Sequence, residues 1–228
     1  MNQILFKNAL EHYRNQEDLY EEELIKDKRY QFIDDYDGYT FPLNNIDKVG
    51  VSSYFTDLSE NNVYKMTSIH KLLNLSDLEK VLKNIDSKTF FFLNEILVII
   101  NEDDIKTCAD YLGREELLEH TLGQNTYDTN SVVINMHEIL KSSKDISFNK
   151  EDFFYTSVYQ FYLTLLHELG HICCRDNLLN KEYSPIKYSG GCDEEELVEL
   201  FADTWFSYLD NTVDVFKPFN RSFIESKF

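Results

Sequence analysis

Proline and glycine are scarce in this chain, with 3 and 7 copies among 228 residues. That scarcity excludes a collagen-like or linker-dominated chain and points to a compact protein with few sharp interruptions. Cysteine is scarce too. Its four copies, Cys108, Cys173, Cys174 and Cys192, are too few and too irregularly spaced for a disulfide scaffold at this length, and read as reduced, mostly buried thiols. Long apolar runs are missing: the most hydrophobic stretch, Phe90 to Ile100, is broken by Asn94 and Glu95 and is far too short to span a bilayer. The first residues, Met1 to Asp18, carry a charge every few positions and lack the apolar centre of a signal peptide, so a soluble cytoplasmic protein is expected. Basic residues are in deficit, 22 Lys and Arg against 41 Asp and Glu, leaving a formal net charge of -19. Such a field repels nucleic-acid phosphate and anionic membrane surfaces, so neither is an expected partner, and it favours a basic protein or a cationic ligand.

Apolar material is ample. Hydrophobic residues make up 43% of the chain and aromatics 14%, enough for one well-packed domain or a domain with an appendage. Leu5 to Arg29 reads as a charged helix and Tyr30 to Val49 as an irregular acidic stretch, so residues 1–65 are expected to form an acidic extension packed on a domain of residues 66–228. Within that domain Ser76 and Glu79 form a capping-box pattern ahead of a short helix reaching Ile85. Phe90 to Ile100 reads as one or two buried strands, central to a sheet, and Ser131 to Asn135 as another, following a turn-rich segment Gly123 to Asn130. A polar connection leads to the longest helical signal. Asn149 and Asp152 form a plausible N-cap, and Phe154, Val158, Phe161, Leu165, Leu169 and Ile172 recur at helical spacing, predicting a buried helix from about Lys150 to about Cys174. Arg175 to Cys192 reads as a loop, after which Asp193 caps a second helix running to about Asp210.

The long helix carries His167, Glu168, Leu169, Gly170 and His171, a His-Glu-x-x-His arrangement. Histidines four residues apart project from one helical face, so both imidazoles can reach one metal ion, while Glu168 can serve as general base toward water at that ion. The plain alternative is a helix with two ordinary histidines. Gly170 argues against it, because glycine inside a helix costs about 1 kcal/mol relative to alanine and is expected where another backbone or a substrate passes close by. A catalytic zinc site generally takes three protein ligands, so a third must come from elsewhere. The second helix offers Glu194, Glu195, Glu196 and Glu199. Glu199 is the preferred ligand, because Ala202 and Phe206 continue its face and a metal would compensate an acid in apolar surroundings. Glu195 and Glu196 read as a solvated acidic first turn, and Asp203, one turn beyond Glu199, as a carboxylate partner for the second ring N–H of a liganding histidine.

Together, His167-Glu168-Leu169-Gly170-His171 and Glu199-Leu200-Phe201-Ala202-Asp203 resemble the gluzincin metallopeptidases, and among them the ImmA/IrrE group. The strand Val132-Val133-Ile134-Asn135 resembles that family's edge strand, which implies a role in aligning an extended substrate. The likeness spans roughly Asn130 to Tyr208. It implies an α+β zincin-like fold, with a small mixed β-sheet, a catalytic helix and a second ligand-bearing helix. It further implies Zn2+ bound by His167, His171 and Glu199, general-base catalysis by Glu168, and hydrolysis of a peptide bond. ImmA/IrrE relatives cut transcriptional repressors, so the implied substrate is a protein or peptide such as a basic DNA-binding regulator. An oxyanion donor is not identified; His120, His137, Tyr183 and Tyr188 are ordinary surface or packing residues at least as readily. Two other readings stand beside this one: a non-enzymatic acidic protein that mimics DNA, and a zincin fold whose zinc is only structural.

Overall fold

The computed structural model describes residues 51–56, 69–85, 87–90, 93–114, 120–126, 129–179 and 194–228. The charged helix read at Leu5 to Arg29 and the irregular stretch at Tyr30 to Val49 lie outside the described residues, as does the cap read at Asp193. The fold is α+β. Four strands, β1 (Phe55–Thr56), β2 (Glu95–Ile99), β3 (Gly123–Thr126) and β4 (Ser131–Asn135), form one sheet in the order β1-β2-β4-β3. β2 runs parallel to both β1 and β4, whereas β3 is antiparallel to β4. The sheet is therefore small and mixed. Its first strand comes from residues 55–56, inside the segment read as an N-terminal extension.

Both faces of the sheet are covered, which explains why β2 and β4 read as continuous apolar runs instead of alternating ones. Ile96, Val98, Val132 and Ile134 face the main core, while Leu97, Ile99 and Val133 pack with Cys108, Ala109 and Leu112 on the opposite side. Those last three belong to or follow helix α2 (Asp103–Tyr111). Burial among these groups pushes the Cys108 thiol up to about 12, so it stays protonated as an inert packing group.

Two elements correct the sequence reading directly. The segment Gly123 to Thr126, read as turns, is the edge strand β3, and Val132–Asn135, read as the edge, lies between β2 and β3. The polar connection after it is a helix, α3 (Met136–Ile146), whose cap is Asn135: its side chain accepts the Glu138 N–H at 3.2 Å. Helix α1 (Leu75–Leu82) is likewise capped by Asn74, which accepts the Asp77 N–H, and not by Ser76.

The main core is organised by α4 (Lys150–Leu179), which extends five residues past the predicted end, into the segment read as loop. Its start matches the predicted cap: Asn149 accepts the Asp152 N–H at 3.0 Å, and Asp152 in turn accepts the N–H of Phe148, the residue before the cap, at 2.9 Å. Phe153, Val158, Phe161, Leu165, Leu169 and Ile172 are fully buried against the sheet and neighbouring helices. Tyr162 is buried as well, and its hydroxyl donates to the Val215 carbonyl at 2.9 Å. Against α4 packs α5 (Glu194–Thr212), presenting Val198, Ala202, Trp205 and Leu209, and a short α6 (Arg221–Glu225) closes one end. Among the described residues no helix is long and apolar enough to cross a membrane.

Candidate metal centre

His167 and His171 stand one turn apart on α4, and their Nε2 atoms approach to 3.2 Å. The third member of the group comes from the first turn of α5. Glu195 places one carboxylate oxygen 3.4 Å from His167 Nε2 and the other 3.5 Å from His171 Nε2. Donors held 2.0–2.2 Å from one ion at tetrahedral angles stand roughly 3.3–3.6 Å from one another. The His–His separation and the nearer Glu195 oxygen at each histidine are close to that spacing, one carboxylate atom and the two imidazole nitrogens all lie within 4.8 Å of one another, and among the described residues these three side chains form the group that could hold a metal ion. Nitrogen from two imidazoles and oxygen from one carboxylate is a donor set suited to zinc and its first-row neighbours.

The approach of α5 depends on Gly170. A Cβ at that position would lie 2.9 Å from Val198 Cγ1 and 3.2 Å from Phe201 Cδ1. Glycine thus lets the two helices close at the level of the histidines, the close passage its position in the motif predicts, and the passing backbone is that of α5.

Burial sets the protonation of the site. His167 is pulled below the usual imidazole range, first by loss of solvent and then by the neighbouring His171, while Glu195 and Glu199 partly offset this. A neutral imidazole is the state that binds a metal. Glu168, only 7% exposed, reaches Gly123 of β3. Its carboxyl is pushed up to about 7, chiefly by burial; Glu195 adds to the rise, while His171 and a hydrogen bond from the Asn125 backbone work against it. Gly123 makes room for this side chain, since a Cβ there would lie 3.1 Å from Glu168 Cγ and 3.2 Å from its Oε1, and closer still to Thr164. The Asn125 side-chain amide donates to the Glu168 carbonyl at 3.2 Å and ties β3 to α4.

A cleft of about 420 Å³ opens beside these groups. Leu122 and Gly123 form its β3 side, Leu163, Thr164, His167 and Glu168 its α4 side, and Glu199, Ala202 and Asp203 its α5 side. Of the residues expected from sequence, His167 and His171 are brought together with Glu168 beside them. Glu199 and Asp203 line the cleft but stand outside the close group of donors, which takes Glu195 instead. Glu195 had no distinguishing signal in the sequence, because it shares a helical face with Glu199 and both sit in an acidic run. Among the oxyanion candidates, His137 lies 3.8 Å from Glu138 and His120 is exposed, while Tyr183 and Tyr188 fall outside the described residues.

No family model, no curated protein and no solved structure matches this chain.

Proposed function

We propose that this chain is a zinc-dependent metallopeptidase of gluzincin type, similar to the ImmA/IrrE group, in which His167, His171 and Glu195 hold the zinc and Glu168 is the general base. The observation that carries this reading is the convergence of two imidazoles 3.2 Å apart and a Glu195 carboxylate whose ligand atom lies within 4.8 Å of both, with the buried Glu168 carboxyl adjoining them. What zinc supplies when bound is Lewis acidity toward a carbonyl oxygen and toward water.

The chain's own residues do the rest. Burial raises the proton affinity of Glu168 until it lies near neutral pH, the range in which one carboxyl group can both take a proton from attacking water and return it to a leaving amine. Glu199 stands on the cleft wall where its charge acts on His167, the place of a carboxylate that accepts the second ring N–H of a neutral liganding imidazole and so orients it. β3 supplies the track for an extended substrate. The Asn135 N–H donates to the Leu122 carbonyl at 2.8 Å, so strand alternation turns the peptide groups of Gly123 and Asn125 away from β4, toward the open edge. A substrate strand pairing there would run past Glu168. A protein whose surface is basic, as a DNA-binding regulator is, suits a chain of net charge -19.

Metal analysis and one substitution test the reading. Purified protein is expected to carry about one zinc per chain. Glu168→Gln is expected to keep that zinc while lowering the cleavage of an unstructured protein substrate by a factor of about 10² to 10⁴. Protein that takes up no zinc when supplied with it, or a Glu168→Gln variant that cleaves like the parent, would overturn the assignment.

A further inference from the structure

The cleft has a second end, away from the metal donors, whose chemistry the hydrolytic step does not use. Leu122, Leu163 and Ala202 give it apolar walls, and Asp203 stands on the α5 side. Among the described residues that line the cleft, three are carboxylic acids: Glu168, Glu199 and Asp203. An aromatic ring stands next along the helix: Tyr159 lies one turn before Leu163 on α4, is 45% exposed, and packs edge-on against Phe206 with ring centroids 4.8 Å apart. Its phenol is pushed above the usual range by burial first, then by the charges of Asp203 and Asp210, so negative potential concentrates beside a partly open aromatic face. An apolar passage that ends at a carboxylate and an aromatic face matches one type of side chain: a long aliphatic stem with a cation at its tip.

We propose that Asp203 determines specificity, and that this end of the cleft takes a lysine or arginine side chain of the substrate, its stem against Leu122, Leu163 and Ala202 and its cation at Asp203 beside Tyr159. The inference rests on the peptidase reading and adds to it the class of residue the substrate must present near the scissile bond. It also gives the acidity of the chain a local use, since a shielded carboxylate discriminates more strongly than a diffuse surface field.

Binding tests it without turnover. The full-length Glu168→Gln protein, loaded with zinc, is titrated into fluorescein-labelled decapeptides of alanine, serine and leucine in which one position at a time is lysine, norleucine or glutamate. At one position lysine is expected to bind about five- to tenfold more tightly than norleucine, whose stem is nearly the same but uncharged, and glutamate most weakly. That preference is expected to shrink as salt is raised. Adding Asp203→Asn should bring lysine and norleucine peptides within twofold of each other, and Asp203→Glu should restore most of the difference. The salt series uses no further variant, so it stands even if a substitution at 203 perturbs folding. Norleucine binding as tightly as lysine at every position, or a lysine preference that survives Asp203→Asn, would overturn the proposal while leaving peptide binding intact. Failure of every peptide to bind, whatever its charge, would overturn the peptidase reading and this proposal with it.

Discussion

Glu195 and Glu199 differ by one helical turn, and the distinction matters because each implies a different loss on substitution. Glu195 reaches both imidazoles, 3.4 Å from one and 3.5 Å from the other, even though its side chain is 63% exposed. Exposure of that degree means the apolar surroundings do not compel a countercharge, so an ion shared with the histidines would be the main thing tying the carboxylate to this position. Glu199 lines the cleft and its charge acts on His167. Zinc affinity measured by competition with a chromophoric chelator is therefore expected to fall more than a hundredfold in Glu195→Gln, and no more than about ten- to a hundredfold in Glu199→Gln, the range typical of a group that supports a ligand. The reverse order would return the third position to Glu199. Asp203, a further turn along, is expected to leave zinc affinity nearly unchanged when replaced by Asn.

At the scale of elements, the axial offset between α4 and α5 selects which glutamate meets the histidines. Gly170 fixes that offset, because Val198 and Phe201 pack where its side chain would be. Alanine there would gain about 1 kcal/mol in helix propensity yet meet Val198 Cγ1 at 2.9 Å, an overlap that a fully buried, β-branched side chain relieves only by moving α5. Urea unfolding of the metal-free protein is expected to show Gly170→Ala about 1 kcal/mol less stable than the parent, with weaker zinc binding. Combining it with Val198→Ala should recover part of both losses, a coupling of the size found between residues in contact. Additive effects of the two substitutions would remove this account of the offset. The same reasoning explains what could be read in the sequence. The histidine pair was legible because its spacing lies within one helix, and α4 because its cap at Asn149 and its apolar stripe agree. Glu195 was not, since periodicity identifies a face of α5 but not the turn of it that faces α4. β3 was hidden for another reason: Gly123, Gln124 and Asn125 are poor strand formers, and pairing with β4 and contact with Glu168 hold them extended. Helix α3 carried a signal in Asn135 and Glu138, obscured because Asn135 also ends β4.

For the whole molecule the question is whether a metal bound at His167, His171 and Glu195 would hold the fold or only the site. The fully buried side chains include Trp205, Tyr162, Phe153, Phe161, Leu72, Leu78 and Ile96, drawn from α1, β2, α4, α5 and the turn before α1, and none of them is a metal donor. α5 is anchored along its length by Val198, Ala202, Trp205 and Leu209, whereas Glu195 lies in its first turn. Burial of this extent, at about 25 cal/mol per Å² of apolar surface, does not need a single ion to offset chain entropy, unlike the small metal-dependent domains that unfold without one. Chelation is therefore expected to leave the far-ultraviolet circular dichroism spectrum unchanged. It should lower the melting temperature by roughly ten degrees, the loss that follows when an ion present at about a thousand times its dissociation constant is withdrawn from a chain of this length. Cooperative loss of helical signal at 25 °C on adding chelator would mean instead that the ion is structural. An unchanged melting temperature would mean that His167, His171 and Glu195 bind no ion in the folded protein.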